Sequence, residues 1–180
     1  MEFPRTKGAI GWALVGVFAI AAGISKMMTS TQRDIRGEIV RLVENERAAP
    51  NVDKYWAKIL PGSTPSSHPP SWCGALVLWA YHMAGITTAP WKVGTGFIYP
   101  LKLKRTNNPQ IGDVAYFDKF QHHALVSEIL GNGKVALLNG NSTRSAQFPE
   151  GAITRSVKSL GEVTAFFSID DLIAAKRASK

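Results

Sequence analysis

The spacing of apolar residues changes character several times along the chain. Residues 8–25, "GAIGWALVGVFAIAAGIS", carry no charge at all. At about 1.5 Å of rise per residue, a helix over this run reaches about 27 Å, the short end of a membrane crossing. Arg5 and Lys7 precede it, Lys26 follows, and Ala19-Ile20-Ala21 resembles a small-residue cleavage site. Residues 1–28 are therefore expected to form a transmembrane anchor or a signal segment, with the length of the run favouring the anchor. Beyond it, "STQRDIRGEIVRLVENE" sets Ile35, Ile39, Leu42 and Val43 at helical spacing, with Ser30 or Thr31 as the expected N-cap. A second short helix is expected in "RAAPNVDKYWAKILPG", stopped by Pro61-Gly62. After the Pro-rich loop "STPSSHPPS", residues Trp72, Ala75, Leu76, Trp79, Ala80 and Met83 trace one apolar face of a three-turn helix that Gly85 closes.

Residues 86–110 show no period and read as irregular. The pattern then shifts to alternation and short apolar runs, which predict strands over "DVAYF" (113–117), "HALVSEIL" (123–130) and "KVALLNG" (134–140). Gly131-Asn132-Gly133 links the last two as a hairpin turn. Weaker strands are expected at 151–158 and 164–169, ahead of a basic C-terminal tail. No internal repeat is present. Helices followed by an antiparallel sheet argue an α+β domain over residues 29–180.

Composition narrows the class. At 180 residues, 45% hydrophobic and 19% charged, the chain suits one globular domain. The formal charge of +8 favours anionic partners. Removing residues 1–25 takes away one net positive charge, so the remainder is basic too, at +7. The cations are scattered, with small clusters at Lys102-Leu103-Lys104-Arg105 and Lys176-Arg177, and no nucleic-acid motif accompanies them. A nucleic-acid partner is not expected.

The single cysteine excludes an internal disulfide framework and raises the question of reactivity. If Ser71 caps its helix, Cys73 lies in the first turn, where unpaired N–H groups and the helix dipole favour a thiolate and lower the thiol pKa. The alternative is a buried structural cysteine. As bases, His82 lies nine residues further along the same helix, out of reach, and His68 stays open in the Pro-rich loop. His122 and His123 begin a strand and alternate faces, so only one points where the cysteine does. Hairpin pairing brings Asn139 or Asn141 near them, and either amide can orient an imidazole.

In this order, "SWCGALVLWAYHMAGI", "PQIGDVAYFD", "HHALVSEI" and "LLNGNS" resemble the CHAP and NlpC/P60 cysteine peptidases over roughly residues 35–169. The resemblance implies a papain-like fold and cleavage of an amide bond in peptidoglycan, as an endopeptidase or an N-acetylmuramoyl-L-alanine amidase. It makes Cys73 the nucleophile and His122 the base, with His123 on the opposite face. CHAP members often carry Glu-Gly-Asn where this chain has Asn139-Gly140-Asn141, so the orienting role lies between Asn139 and Asn141. The backbone N–H of Cys73 is the expected oxyanion donor. No metal or cofactor is expected. The implied setting is membrane-anchored through residues 8–25 or exported, facing the periplasm, the cell wall or a virion membrane, in a bacterial envelope or bacteriophage entry or lysis enzyme. Two other readings stand beside it: a membrane-tethered protein that keeps the fold for binding or assembly, and an acyl transferase using the same residues.

Overall fold

The computed structural model describes residues 30–69, 71–89, 91, 97–98 and 101–179. The expected anchor at 8–25 lies outside the described residues, and no helix among the described ones is long and apolar enough to cross a membrane.

Among the described residues, four α-helices and six strands follow in order: α1 (Ser30–Asn45), α2 (Val52–Ile59), α3 (Cys73–Met83), β1 (Lys104–Thr106), β2 (Val114–Phe117), β3 (His122–Gly131), β4 (Lys134–Asn139), β5 (Thr154–Ser159), β6 (Ala165–Ser168) and α4 (Asp170–Ala178). The strands form one antiparallel sheet in the order β1-β6-β2-β3-β4-β5. The α+β class and the helix-then-sheet order match the sequence pattern.

Several details differ. Helix α1 already includes Ser30 and Thr31, the two residues expected to cap it. The "irregular" 86–110 contains β1, a strand of three residues held at the sheet edge by β6. The expected C-terminal tail folds as α4, whose Asp170 and Asp171 sit in the first turn and Lys176 and Arg177 in the last, matching the helix dipole at both ends. Helix α3 has no polar face: Cys73 through Tyr81 are all buried, while Met83, expected on the apolar stripe, is exposed. A helix apolar all round must be covered all round. Helices α1 and α2 cover one side and the sheet the other.

The sheet alternates cleanly. Val114, Leu125, Leu138 and Phe167 face α3 and the other helices. Ala115, Ala124, Val126, Val135, Leu137 and Phe166 face away and form a second, smaller core. Between β3 and β4, Asn132 (φ 48°) and Gly133 (φ 68°) make the two-residue turn that the Gly-Asn-Gly pattern predicts.

One buried ionic cluster locks the helices to the sheet. The side chain of Arg36 on α1 is wholly buried; its guanidinium donates to the Asp113 carboxylate (2.8 Å), the Ile111 carbonyl (2.6 Å) and Asp170 of α4 (3.0 Å). Asp113 also accepts from the N–H groups of Gln110 (2.9 Å) and Ile169 (3.2 Å). Burial pushes the Asp113 carboxyl above its usual range, against the pull of Arg36 and those two N–H groups. Gly112-Asp113, part of the motif that suggested a family, thus joins three elements and stands away from the thiol.

Candidate active site

Cys73 is the first residue of α3, and the N-cap position belongs to Trp72 rather than Ser71. Trp72 offers no side-chain cap; its buried indole N–H instead donates to the Glu150 carbonyl at 2.7 Å, fixing the helix start against the loop before β5. The first intrahelical bond is Leu76 N–H to Trp72 C=O (3.0 Å), so the N–H groups of Cys73 and Gly74 have no acceptor within the helix. Both face the thiol, together with the N–H of His123. The peptide joining the two histidines therefore abuts the sulfur.

Helix position alone predicts a lowered thiol pKa. The structure reverses the sign: Cys73 is 6% exposed, and its burial pushes the thiol above its ordinary value by more than the three N–H groups pull it down. The thiol therefore rests neutral, and any attack by it would need a base.

His122, the expected base, begins β3 on the sheet face it shares with Phe117. The imidazole Nε2 of His122 lies 3.2 Å from Oδ1 of Asn139, the last residue of β4. The register pairs Ala124 with Asn139, so His122 and Asn139 occupy one face as diagonal neighbours. Asn139 cannot be turned the other way. Its Nδ2 donates to Ser156 Oγ (2.9 Å) and to the carbonyls of Leu137 and Thr154 (3.3 Å each), which leaves Oδ1 to accept. His122 must then carry its proton on Nε2 and keep the Nδ1 lone pair for the groove. Burial lowers its pKa, opposed by the Asn139 contact, so the ring rests neutral.

The same geometry explains the missing carboxylate. An Asp or Glu at 139 would turn an acceptor oxygen toward two backbone carbonyls; only an amide offers a donor on that side and an acceptor on the other. Asn141, the alternative orienting residue, sits in a left-handed turn (φ 53°) with its Oδ1 near Gly151. The contact to His122 is made by Asn139.

His123 points to the other face of the sheet, toward the helices, so it is His123 and not the expected base His122 that shares the face of α3, with its Nδ1 beside Gly74, the residue after Cys73. Its ring lies between Phe97 (centroids 5.2 Å) and Tyr116 (5.1 Å), 9% exposed, and its Nδ1 has no hydrogen-bond partner among the described residues. Burial and the neighbouring His122 push its pKa down to about 4. His68 is occupied elsewhere, with Nε2 3.1 Å from Ser63 Oγ and its ring near Trp56, and His82 Nε2 contacts the Ala89 carbonyl.

Two glycines that sequence reasoning passed over make the assembly possible. A Cβ on Gly74 would stand 2.7 Å from the Trp91 ring and 3.2 Å from His123 Nδ1. A Cβ on Gly140 would stand 2.8 Å from both Leu76 and Trp72. Close backbone approach at these points lets α3 and the end of β4 meet. The only trace of this in the sequence is a glycine directly after the cysteine and another between the two asparagines. Ser156, also missed, was visible only as a polar position alternating along "TRSVKS".

Cys73, His122, Asn139 and Asn141 all line one groove of about 970 Å³, as do His123, Ser156 and the exposed turn before β3. Among the described residues, no three His, Cys, Asp or Glu side chains gather to hold a metal ion. Comparison with models of protein families, with curated proteins and with solved structures finds no match for this chain.

Proposed function

We propose that the protein is a cysteine hydrolase of papain-like type that cleaves an amide bond of peptidoglycan, related to the CHAP and NlpC/P60 peptidases. The observation that carries the chemistry is the His122–Asn139 pair, whose tautomer is fixed by the acceptors around Asn139, in the same groove as a thiol at a helix start. The choice of peptidoglycan rests on the motif resemblance and on the basic charge, which suits an anionic wall. The segment at 8–25 gives the enzyme a membrane anchor or an export route to that wall.

In this mechanism the Cys73 thiol gives its proton to Nδ1 of His122 as Sγ bonds to the carbonyl carbon. The carbonyl oxygen becomes an oxyanion, held by the Cys73 N–H at the helix start. Imidazolium returns the proton to the amide nitrogen, the C–N bond breaks, and the amine leaves a thioester on Cys73. Water, deprotonated by His122, then splits the thioester to a carboxylic acid and restores the thiol. Asn139 holds the ring throughout and stabilises imidazolium through Oδ1.

The test is digestion of purified peptidoglycan by the full chain and by Cys73→Ala, His122→Ala and Asn139→Ala, with released fragments identified by mass spectrometry. New termini from the parent, none from the first two variants and few from the third are expected. No release by a folded parent from walls of several chemistries would favour the non-enzymatic reading, to which the buried, neutral thiol lends its one support.

A further inference from the structure

The short turn between β2 and β3 carries chemistry that the hydrolytic mechanism does not use. Asp118, Lys119, Phe120 and Gln121 are all exposed, and Phe120 is 73% exposed, the most open large apolar side chain among the described residues. Asp118, Phe120 and Gln121 all line the groove. The fold gains nothing from a phenyl ring there. A buried ring would have contributed to the core, whereas this one is held out at the groove rim.

The turn is braced from below. The Asp118 N–H donates to Thr164 Oγ1 at 3.1 Å, and Gln121 takes a left-handed conformation (φ 47°) that returns the chain into β3 at His122. The Asp118 carboxylate has no ion-pair partner among the described residues. The Lys119 ammonium stands 5.4 Å from the centroid of the Phe120 ring. Elsewhere the groove offers amides and hydroxyls from Asn141, Ser142 and Ser156, and the cations of Arg105 and Lys158.

An open phenyl face beside a free carboxylate fits a pyranose ring. The ring's C–H face packs on the phenyl, and its hydroxyls donate to the carboxylate. A bare peptide fits less well, because its carbonyls would meet the Asp118 oxygens, and Lys119 discourages a cationic side chain. Phe120 lies two residues before His122, so their Cα atoms are at most about 7 Å apart, and both side chains line the groove.

We infer that Asp118 and Phe120 form a hexosamine subsite that seats the muramic ring beside the scissile bond, and thereby direct cleavage to the amide between the glycan and the stem peptide. This rests on the hydrolase reading above. In the step it implies, the lactyl acyl group of the sugar passes to Cys73 Sγ as its C–N bond breaks. The first stem residue leaves as a free amine with the proton from His122, and water then releases the lactyl carboxylate.

The experiment compares the full-length parent with Phe120→Ala, Phe120→Trp and Asp118→Asn on two substrates: a muramoyl-peptide and the same stem peptide without sugar. The parent should cut the muramoyl-peptide at the lactyl amide and leave the sugar-free peptide intact. Phe120→Ala should raise KM for the muramoyl-peptide about three- to tenfold, the scale of one aromatic contact, with Phe120→Trp restoring it. Cleavage of the sugar-free peptide as fast as the muramoyl-peptide, or equal kinetics for parent and Phe120→Ala, would overturn the subsite. If no substrate is cut, the hydrolase reading fails by itself. The subsite is then judged by NMR titration of the full-length Cys73→Ala chain with the N-acetylglucosaminyl–N-acetylmuramoyl disaccharide. Shifts at residues 118–121 that disappear in Phe120→Ala would support it, and their absence would overturn it.

Discussion

Glycine-to-alanine substitutions at two positions should move stability in opposite directions, for reasons visible in the packing. Gly140 lies between Asn139 and Asn141, and its φ is not in the left-handed region, so the backbone itself accepts alanine. The added methyl, however, would stand 2.8 Å from Leu76 Cδ2, 2.8 Å from Trp72 Cζ3 and 3.1 Å from Trp72 Cε3. Both neighbours are 1% exposed and have nowhere to go, and Trp72 is further pinned through its indole N–H. Overpacking of this kind costs about 1–3 kcal/mol, while restricting the unfolded chain returns about 0.4–1 kcal/mol. The net expectation for Gly140→Ala is a loss of about 1–2 kcal/mol, or roughly 2–8 °C in Tm for a domain of this size. Gly37, inside α1, has nothing within 4 Å of its missing Cβ. Gly37→Ala should therefore stabilise, by up to about 1 kcal/mol, through helix propensity alone. Thermal unfolding followed by circular dichroism reads both. Because relief of the clash moves the end of β4, Gly140→Ala should also lose activity out of proportion to its stability. An unchanged or raised Tm for Gly140→Ala would refute the close approach of α3 to β4 on which the site geometry depends.

Asn139→Asp should lower Tm as well as activity, because the new carboxylate faces the carbonyls of Leu137 and Thr154; a cost of about 1–3 kcal/mol is expected, and a variant as stable as the parent would speak against the amide orientation. Asn139→Ala should reduce kcat up to about 100-fold with little change in KM, since it frees the base without touching substrate; steady-state kinetics on wall fragments separates the two parameters. Alkylation of Cys73 by iodoacetamide at pH 7 should be slower than that of a free cysteine and should rise only well into the alkaline range, because burial holds the thiol neutral; fast alkylation at pH 6 would contradict it. For His123, whose folded pKa of about 4 lies below the ordinary value of 6.5, the unfolded chain binds the proton first, so stability falls as pH drops between those values, by about 3 kcal/mol at most. His123→Phe should flatten Tm across that window, and an unaltered pH profile would place the acid sensitivity elsewhere.

Local signals predicted most of the scaffold. Period-two alternation found β2, β3 and β4, and Asn132-Gly133 fixed their hairpin, because a tight turn constrains residue type strongly. Strand β1 was invisible: Lys104-Arg105-Thr106 has no apolar alternation and is a strand only because β6 offers it a partner. Helix α4 was hidden by its basic end, although its acidic start was present in the sequence. The burial of Arg36 could not be read from "RDIRGE", since what buries it is two acids, 77 and 134 residues away. At the site, residue order brought Cys73, His122 and Asn139 into view. Sequence could not choose between Asn139 and Asn141, because that choice depends on β5 supplying Ser156 and the Thr154 carbonyl. The thiol pKa was misread for a related reason: the helix start is local, but the burial that outweighs it is tertiary.

The central claim is covalent catalysis by Cys73 with His122 as its base. It is tested most directly by acid-quenching the full-length protein during turnover of a muramoyl-peptide and measuring intact and peptide masses. An acyl increment on the tryptic fragment carrying Cys73, absent in Cys73→Ala and strongly reduced in His122→Ala, is the expected result. Product formation that survives Cys73→Ala, or turnover by the parent with the increment on another residue, would contradict it.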